Sequence, residues 1–276
     1  MNIFCLIEDT QIDHKFGAEH GVSFYIETKQ HKVLFDVGQS SLFISNAIHA
    51  NIDLSLVDTL VISHGHYDHG GGLKDFLRIN KHAKIYVQET IFNEFYSMRK
   101  LDEYTFIGLD PELFDEKRFI KLKGDFKIDD ELMIIADIKN HSFFPNSNHT
   151  MFKKDKDEYV LDDFTHEHNL LVTEGQKVCL FAGCGHKGIL NIIDQAQKHL
   201  TPKRISHVFG GFHLKSRFEA YQESSEHIDQ IAMIMKKKHI DMYYTGHCTG
   251  SVAYDQMKKI LDTRLAYFHP GTKIEL

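Results

Sequence analysis

Residues 63–72 read SHGHYDHGGG and follow directly on the apolar run LVDTLVI. A short apolar run that stops at glycines reads as a buried strand, which places His64, His66, Asp68 and His69 in a loop at the strand's end. Imidazole and carboxylate donors suit zinc, iron or manganese better than calcium. The spacing lets His64 and His66 face one ion and Asp68 and His69 a neighbouring one, with Gly65 supplying the turn. Four metal-competent side chains at this spacing form a far more specific signal than scattered histidines, even in a chain with 20 of them. The fold must therefore deliver further donors to the same edge.

The remaining segments suggest how. NIFCLIE, VSFYIET and KVLFDVG read as a meander of strands, and SLFISNAIHANI has the apolar spacing of a helix. KIYVQ (84–88) and LMIIADI (132–138) are further strands. Residues 89–120 are charged and aromatic and are expected to be helical, whereas 139–168 are polar and aperiodic, the pattern of a long surface excursion. From 169 onward strands and helices alternate: strands 169–174, 178–182, 205–210 and 241–245, helices 187–200, 222–238 and 250–262, and a final LAYFH. The reading is α/β, one domain over 1–276, with an excursion at about 89–168 covering the active site.

Composition excludes several roles. A net charge of −7 offers no basic surface for nucleic acid, and no apolar stretch reaches the 18 residues of a membrane span. Cys5, Cys179, Cys184 and Cys248 form no C-x-x-C pair, which fits reduced thiols and a cytoplasmic location.

The stretch VISHGHYDHGGGL, with FDVGQS (35–40) before it, resembles the H-x-H-x-D-H signature of the metallo-β-lactamase superfamily. LFAGCGHKGI (180–189), FGGFHL (209–214) and YTGHCTG (244–250) resemble the branch typified by 7,8-dihydropterin-6-methyl-4-(β-D-ribofuranosyl)aminobenzene-5′-phosphate synthase, also described as dihydropteroate-synthase-like. The resemblance implies an αβ/βα sandwich of two mixed β-sheets flanked by helices, with a two-metal site at one sheet edge. It makes His64, His66, Asp68, His69 and His247 metal ligands. Cys184 stands where the superfamily places a bridging aspartate. His166 is the preferred third histidine ligand, with His168 in reserve, and His186 is assigned to the surroundings of the metals or to substrate.

Two divalent ions are expected, zinc first, with manganese or iron as alternatives. The helix opening at GCGHKG offers free amides to an anion, so His186, Lys187, His213 and Thr249 are expected to contact a small anionic, phosphorylated substrate. Asp68, His186 and His213 are the candidate catalytic groups in a metal-assisted hydrolysis. Phe92, Phe95, Tyr96, Tyr104, Phe106, Phe143 and Phe144 are available to stack on a ring. A synthase displacing a pterin diphosphate, and a binding protein without turnover, are the other classes the same residues allow.

Overall fold

The computed structural model describes all 276 residues. The first part contains β1 (Asn2–Ile7), β2 (Ser23–Glu27), β3 (Lys32–Phe35), α1 (Leu42–His49), β4 (Thr59–Val61), α2 (Tyr67–Gly70), α3 (Leu73–Ile79) and β5 (Lys84–Gln88). Then come β6 (Phe95–Lys100), β7 (Glu103–Phe106), β8 (Phe119–Leu122), β9 (Phe126–Lys127), β10 (Leu132–Ile135), β11 (Met151–Asp155) and β12 (Glu158–Leu161). The chain finishes with β13 (Asn169–Glu174), β14 (Lys177–Phe181), α4 (Ile189–Lys198), β15 (His207–Phe209), α5 (Ser225–Lys237), β16 (Met242–Thr245), α6 (Ser251–Leu261), β17 (Leu265–Tyr267) and β18 (Lys273–Glu275).

Two seven-stranded mixed sheets form the body, ordered β18-β1-β2-β3-β4-β5-β8 and β17-β16-β15-β14-β13-β10-β9. One apolar cluster joins them face to face, with Ile3, Phe24, Phe35 and Val61 from the first sheet against Leu132, Leu170, Phe181 and Phe209 from the second. Their outer faces are covered by helices. Phe43 of α1 and Phe76 of α3 pack on the first sheet, and Ile192, Ile231 and Met257 of α4, α5 and α6 pack on the second. Parallel register puts Phe181, Phe209 and Tyr244 side by side on β14, β15 and β16. Their rings stack at 4.7 Å, so the strands that end at the site are locked in register. No helix is long and apolar enough to cross a membrane.

The segment expected to be helical is different. Residues 95–106 and 151–161 build a third, antiparallel sheet ordered β12-β11-β6-β7, and β8 joins the first sheet in parallel with β5. Its hairpins turn at Leu101–Asp102 and Lys156–Asp157, where Asp102 and Lys156 take a left-handed conformation. The sequence marks neither turn with glycine or proline, and that hid the hairpins.

Candidate metal centre and cleft

β4 lies between β3 and β5, with both pairings parallel, so the ligand loop leaves the carboxyl end of a central strand. Asp36, just past β3 and at φ 59°, fixes the loop. Its carboxylate accepts from the Ser63 amide and hydroxyl at 2.7 Å each and holds His69 Nδ1 at 2.6 Å. A Cβ on Gly65 would stand 2.4 Å from the Ile91 carbonyl and 2.5 Å from the Phe95 ring. Gly65 therefore supplies clearance; its φ is not positive. Gly183 does the same from β14's end, where a Cβ would meet the Ser63 hydroxyl at 2.1 Å.

The fully buried donors fall into three groups, two of them joined at Cys184 and a third made of His66, Asp162 and His166. The ligand atoms of Asp68, His69, Cys184 and His247 lie within 4.8 Å of one another, as do those of His64, Cys184 and His186. Cys184 Sγ is 3.2 Å from His69 Nε2, and His247 Nε2 is 3.2 Å from Asp68 Oδ2. The His66 ring lies 4.5 Å from His64 and 5.0 Å from His186. The Nε2 atoms of His64, His66 and His186 are buried without a hydrogen-bond partner, a cost of about 1–3 kcal/mol each. Ser63 Oγ engages His64 Nδ1 at 2.9 Å and Asn148 Oδ1 engages His186 Nδ1 at 3.0 Å. Both imidazoles are thus oriented with the other nitrogen free. Asp36 on His69 and Asp9 on His247, the latter at 2.7 Å, give the carboxylate-imidazole pairing that aims a histidine at a metal. These residues fit a metal centre.

The two groups differ electrically. Burial, reinforced by neighbouring imidazoles, pushes His64 and His186 well below the ordinary histidine range and His66 to about 3. Across the cluster, burial also opposes charge on His69 and His247, but Asp36 and Asp68 raise the first and Asp68 and Asp9 raise the second. Asp68 is held well below the carboxylate range, since His69, His247 and His20 outweigh its burial. Burial, then Cys248, pushes the Cys184 thiol up.

His166 lies at the edge of the cluster, its ligand atom within 4.8 Å of those of His66 and Asp162, and each of its nitrogens has a protein partner, as those of His247 do. Nδ1 accepts from the Gly65 amide at 2.9 Å, so Nε2 carries the proton and donates to Asp162 at 3.0 Å. The free nitrogen at this corner belongs to His186. His168 turns to Gln88, 3.1 Å away, and joins no donor group. Lys187 does not line the cleft; its ammonium donates to the Asp163 carbonyl at 2.5 Å. Thr249 is buried, its hydroxyl accepting from the Phe212 amide at 2.9 Å and bonded to Thr245 at 2.6 Å. Nor is an anion awaited at GCGHKG, because Glu167 takes the His186 and Lys187 amides at 2.6 and 2.8 Å. Among the aromatics, Phe95 touches site histidines, with its ring 3.9 Å from His166. Tyr96, Tyr104 and Phe106 pack within the third sheet with Phe152 and Tyr159. Phe92 packs on Phe119, Phe143 on His227 and Phe144 on Phe164.

A cleft of about 250 Å³ opens over the cluster, reaching His66, Asp68, Cys184, His186, His213 and His247. His213 is 5% exposed with neither ring nitrogen bonded, at φ 50° beside the similarly strained His247 at 49°. Sequence reasoning missed Asp9, His20 and Asp36. One Asp9 carboxylate serves both His247 and His20, the latter at 3.0 Å, a pairing between chain segments some 240 residues apart that no local spacing announces. Asp36 lay inside the quoted FDVGQS, unassigned.

With the geometry in place, comparison with known proteins decides the family: the metallo-beta-lactamase superfamily model matches residues 16–184. The chain belongs to the metallo-beta-lactamase superfamily. The matched span ends at Cys184, so this superfamily member's His186, His213 and His247 lie beyond it. An uncharacterized protein of Methanocaldococcus jannaschii is 28% identical over 96% of this chain and 97% of its own. The 7,8-dihydropterin-6-methyl-4-(beta-D-ribofuranosyl)-aminobenzene-5'-phosphate synthase of the same organism is 24% identical, covering 100% and 96%. The crystal structure of Tm1679, described as a metal-dependent hydrolase of the beta-lactamase superfamily, superposes with a TM-score of 0.82 at 26% identity, over 100% of this chain and 99% of that one.

Proposed function

We propose that the protein is a metal-dependent hydrolase acting on a small anionic, phosphorylated molecule, with His64, His66 and His186 holding one divalent ion and Asp68, His69 and His247 a second. Cys184 stands between them, and the whole chain, 1–276, acts as one catalytic domain. Zinc is the first choice for this imidazole, carboxylate and thiol set. The observation that carries the reading is the trio of buried, unpartnered Nε2 atoms of His64, His66 and His186, the last two of which line an open cleft. Bound ions supply Lewis acidity and lower the pKa of coordinated water. The protein's own contribution is orientation: Asp9 and Asp36 fix the imidazoles they face, and Asp68 is kept ionised as an acceptor. His213, free at both nitrogens on the cleft wall, stands ready to donate to a substrate oxygen or to the leaving group.

The full-length likeness to the M. jannaschii synthase favours a second reading, in which the same centre activates a diphosphate leaving group during coupling of two precursors. Metal analysis of the purified protein, followed by assays of phosphomonoesters, phosphodiesters, lactones and thioesters with zinc or manganese, tests the first reading. Turnover that disappears in His66→Ala is the expected result. Coupled product from a pterin diphosphate and an aminobenzene ribofuranosyl phosphate, with no hydrolysis of any ester, would instead establish the second. Absence of metal in folded protein that also fails to take up added ions removes both.

A further inference from the structure

The cleft has a second functional end. Arg99 enters from β6 of the third sheet, and Lys215 and Arg217 enter from the loop that follows β15. None of the three forms an ion pair, unlike Lys74, Arg78, Lys153 and Arg204. Cations are seldom placed together on a concave wall without a partner, since their mutual repulsion is unrelieved.

The loop carrying two of them is preformed. The Gln222 amide brackets Ser216, accepting from its N–H at 3.2 Å and donating to its carbonyl, while Ser216 Oγ accepts from the Phe218 amide at 3.1 Å. Lys215 N donates to the Cys248 carbonyl at 3.2 Å, and its stem lies so close to Gly250 that a Cβ there would sit 2.9 Å from it. Ser147 Oγ donates to the His213 carbonyl at 2.6 Å. At the inner end of the loop His213, 95% buried and unbonded at both ring nitrogens, lines the same cleft. Met98, Ile107 and Met151 line the cleft as well, giving it apolar wall between polar groups.

We infer that Arg99, Lys215 and Arg217 form an anchor for a terminal phosphate that is not the reacting group. The substrate is then two-ended: a phosphomonoester dianion at the cationic rim, an apolar body along the methionines, and the bond to be broken beside the imidazole cluster. This deepens the proposed function and rests on it for the identity of the reacting end. The anchor itself does not, because the metal centre has its own carboxylates and thiol to balance its charge, whereas the rim has none.

Phenylphosphonate, which has a carbon–phosphorus bond in place of an ester for a phosphoesterase to cleave, is the probe, with benzyl alcohol as its uncharged counterpart. Calorimetry on the metal-loaded, full-length protein should show phenylphosphonate binding and benzyl alcohol binding weakly or not at all. R99A/R217A should weaken phenylphosphonate by about tenfold or more, with metal content and melting temperature unchanged, and R99K/R217K should recover part of the loss. Equal affinity in wild type and R99A/R217A would overturn the inference, for the metals would then be the anchor. So would failure of phenylphosphonate to bind better than benzyl alcohol. If the hydrolase reading alone fails, turnover is absent while the affinity difference remains.

Discussion

The two halves of the donor cluster share Cys184 and little else. His64, His66 and His186 face one another with unpaired nitrogens and depressed basicity. His69 and His247 sit in a mesh of carboxylates that raises theirs. The second half is satisfied by its own ion pairs, whereas the first leaves three buried lone pairs that only an electrophile can use. The difference teaches that buried histidines can be made ready for a cation in two ways, by a nitrogen left without a partner or by a carboxylate that orients the ring from its far side.

The comparison is easiest to break at the imidazole half. His66→Ala or His186→Ala should lower both bound metal and turnover, the latter by several kcal/mol of lost stabilisation or roughly a thousandfold, as read by elemental analysis and steady-state assays. Normal metal content in His186→Ala would return the ligand role to another residue. On the carboxylate half, Asp9→Asn and Asp36→Asn should keep both ions but weaken them about 10–100-fold, measured by competition with a chelating dye. A loss as complete as that from His66→Ala would mean these acids bind metal directly.

His166→Asn sharpens the contrast further. It keeps an acceptor in reach of the Gly65 amide but strands Asp162, so it should cost about 1–3 kcal/mol of stability in chemical denaturation while metal stoichiometry stays the same. At neutral pH the smallest effect belongs to His168, whose burial holds it near 3. Folded protein then declines a proton that the unfolded chain accepts below about 6.5, so stability falls as pH drops from there toward 3. His168→Gln should flatten that fall by up to about 1.4 kcal/mol per pH unit. Parallel pH curves for wild type and variant would show that His168 charges without penalty.

Much of this was readable from local pattern. The strand at 169–174 and the loop carrying His64, His66, Asp68 and His69 were legible because short-range spacing determines both. The site residues that escaped are those whose role is set by a distant partner. Glu167 closes off the helix start that sequence alone offers to an anion, and Asp162, paired with His166, joins it and His66 in a further donor group. Arg99 is one charge among 32 until the third sheet folds over the cleft. That sheet itself stayed hidden because its strands are short and polar, and its turns use aspartate and lysine instead of glycine.

The bond from Asp9 to His247, reinforced by Glu8, which accepts from the His247 amide and the Tyr267 hydroxyl at 2.8 Å each, ties the end of the first strand to residues 238 positions further along the chain. A nascent chain that has already displayed its histidine-rich loop holds an incomplete set of donors until the His247 segment, some 180 residues later, has also emerged. Any ligand that needs donors from both segments can be held only after the two have been made and joined.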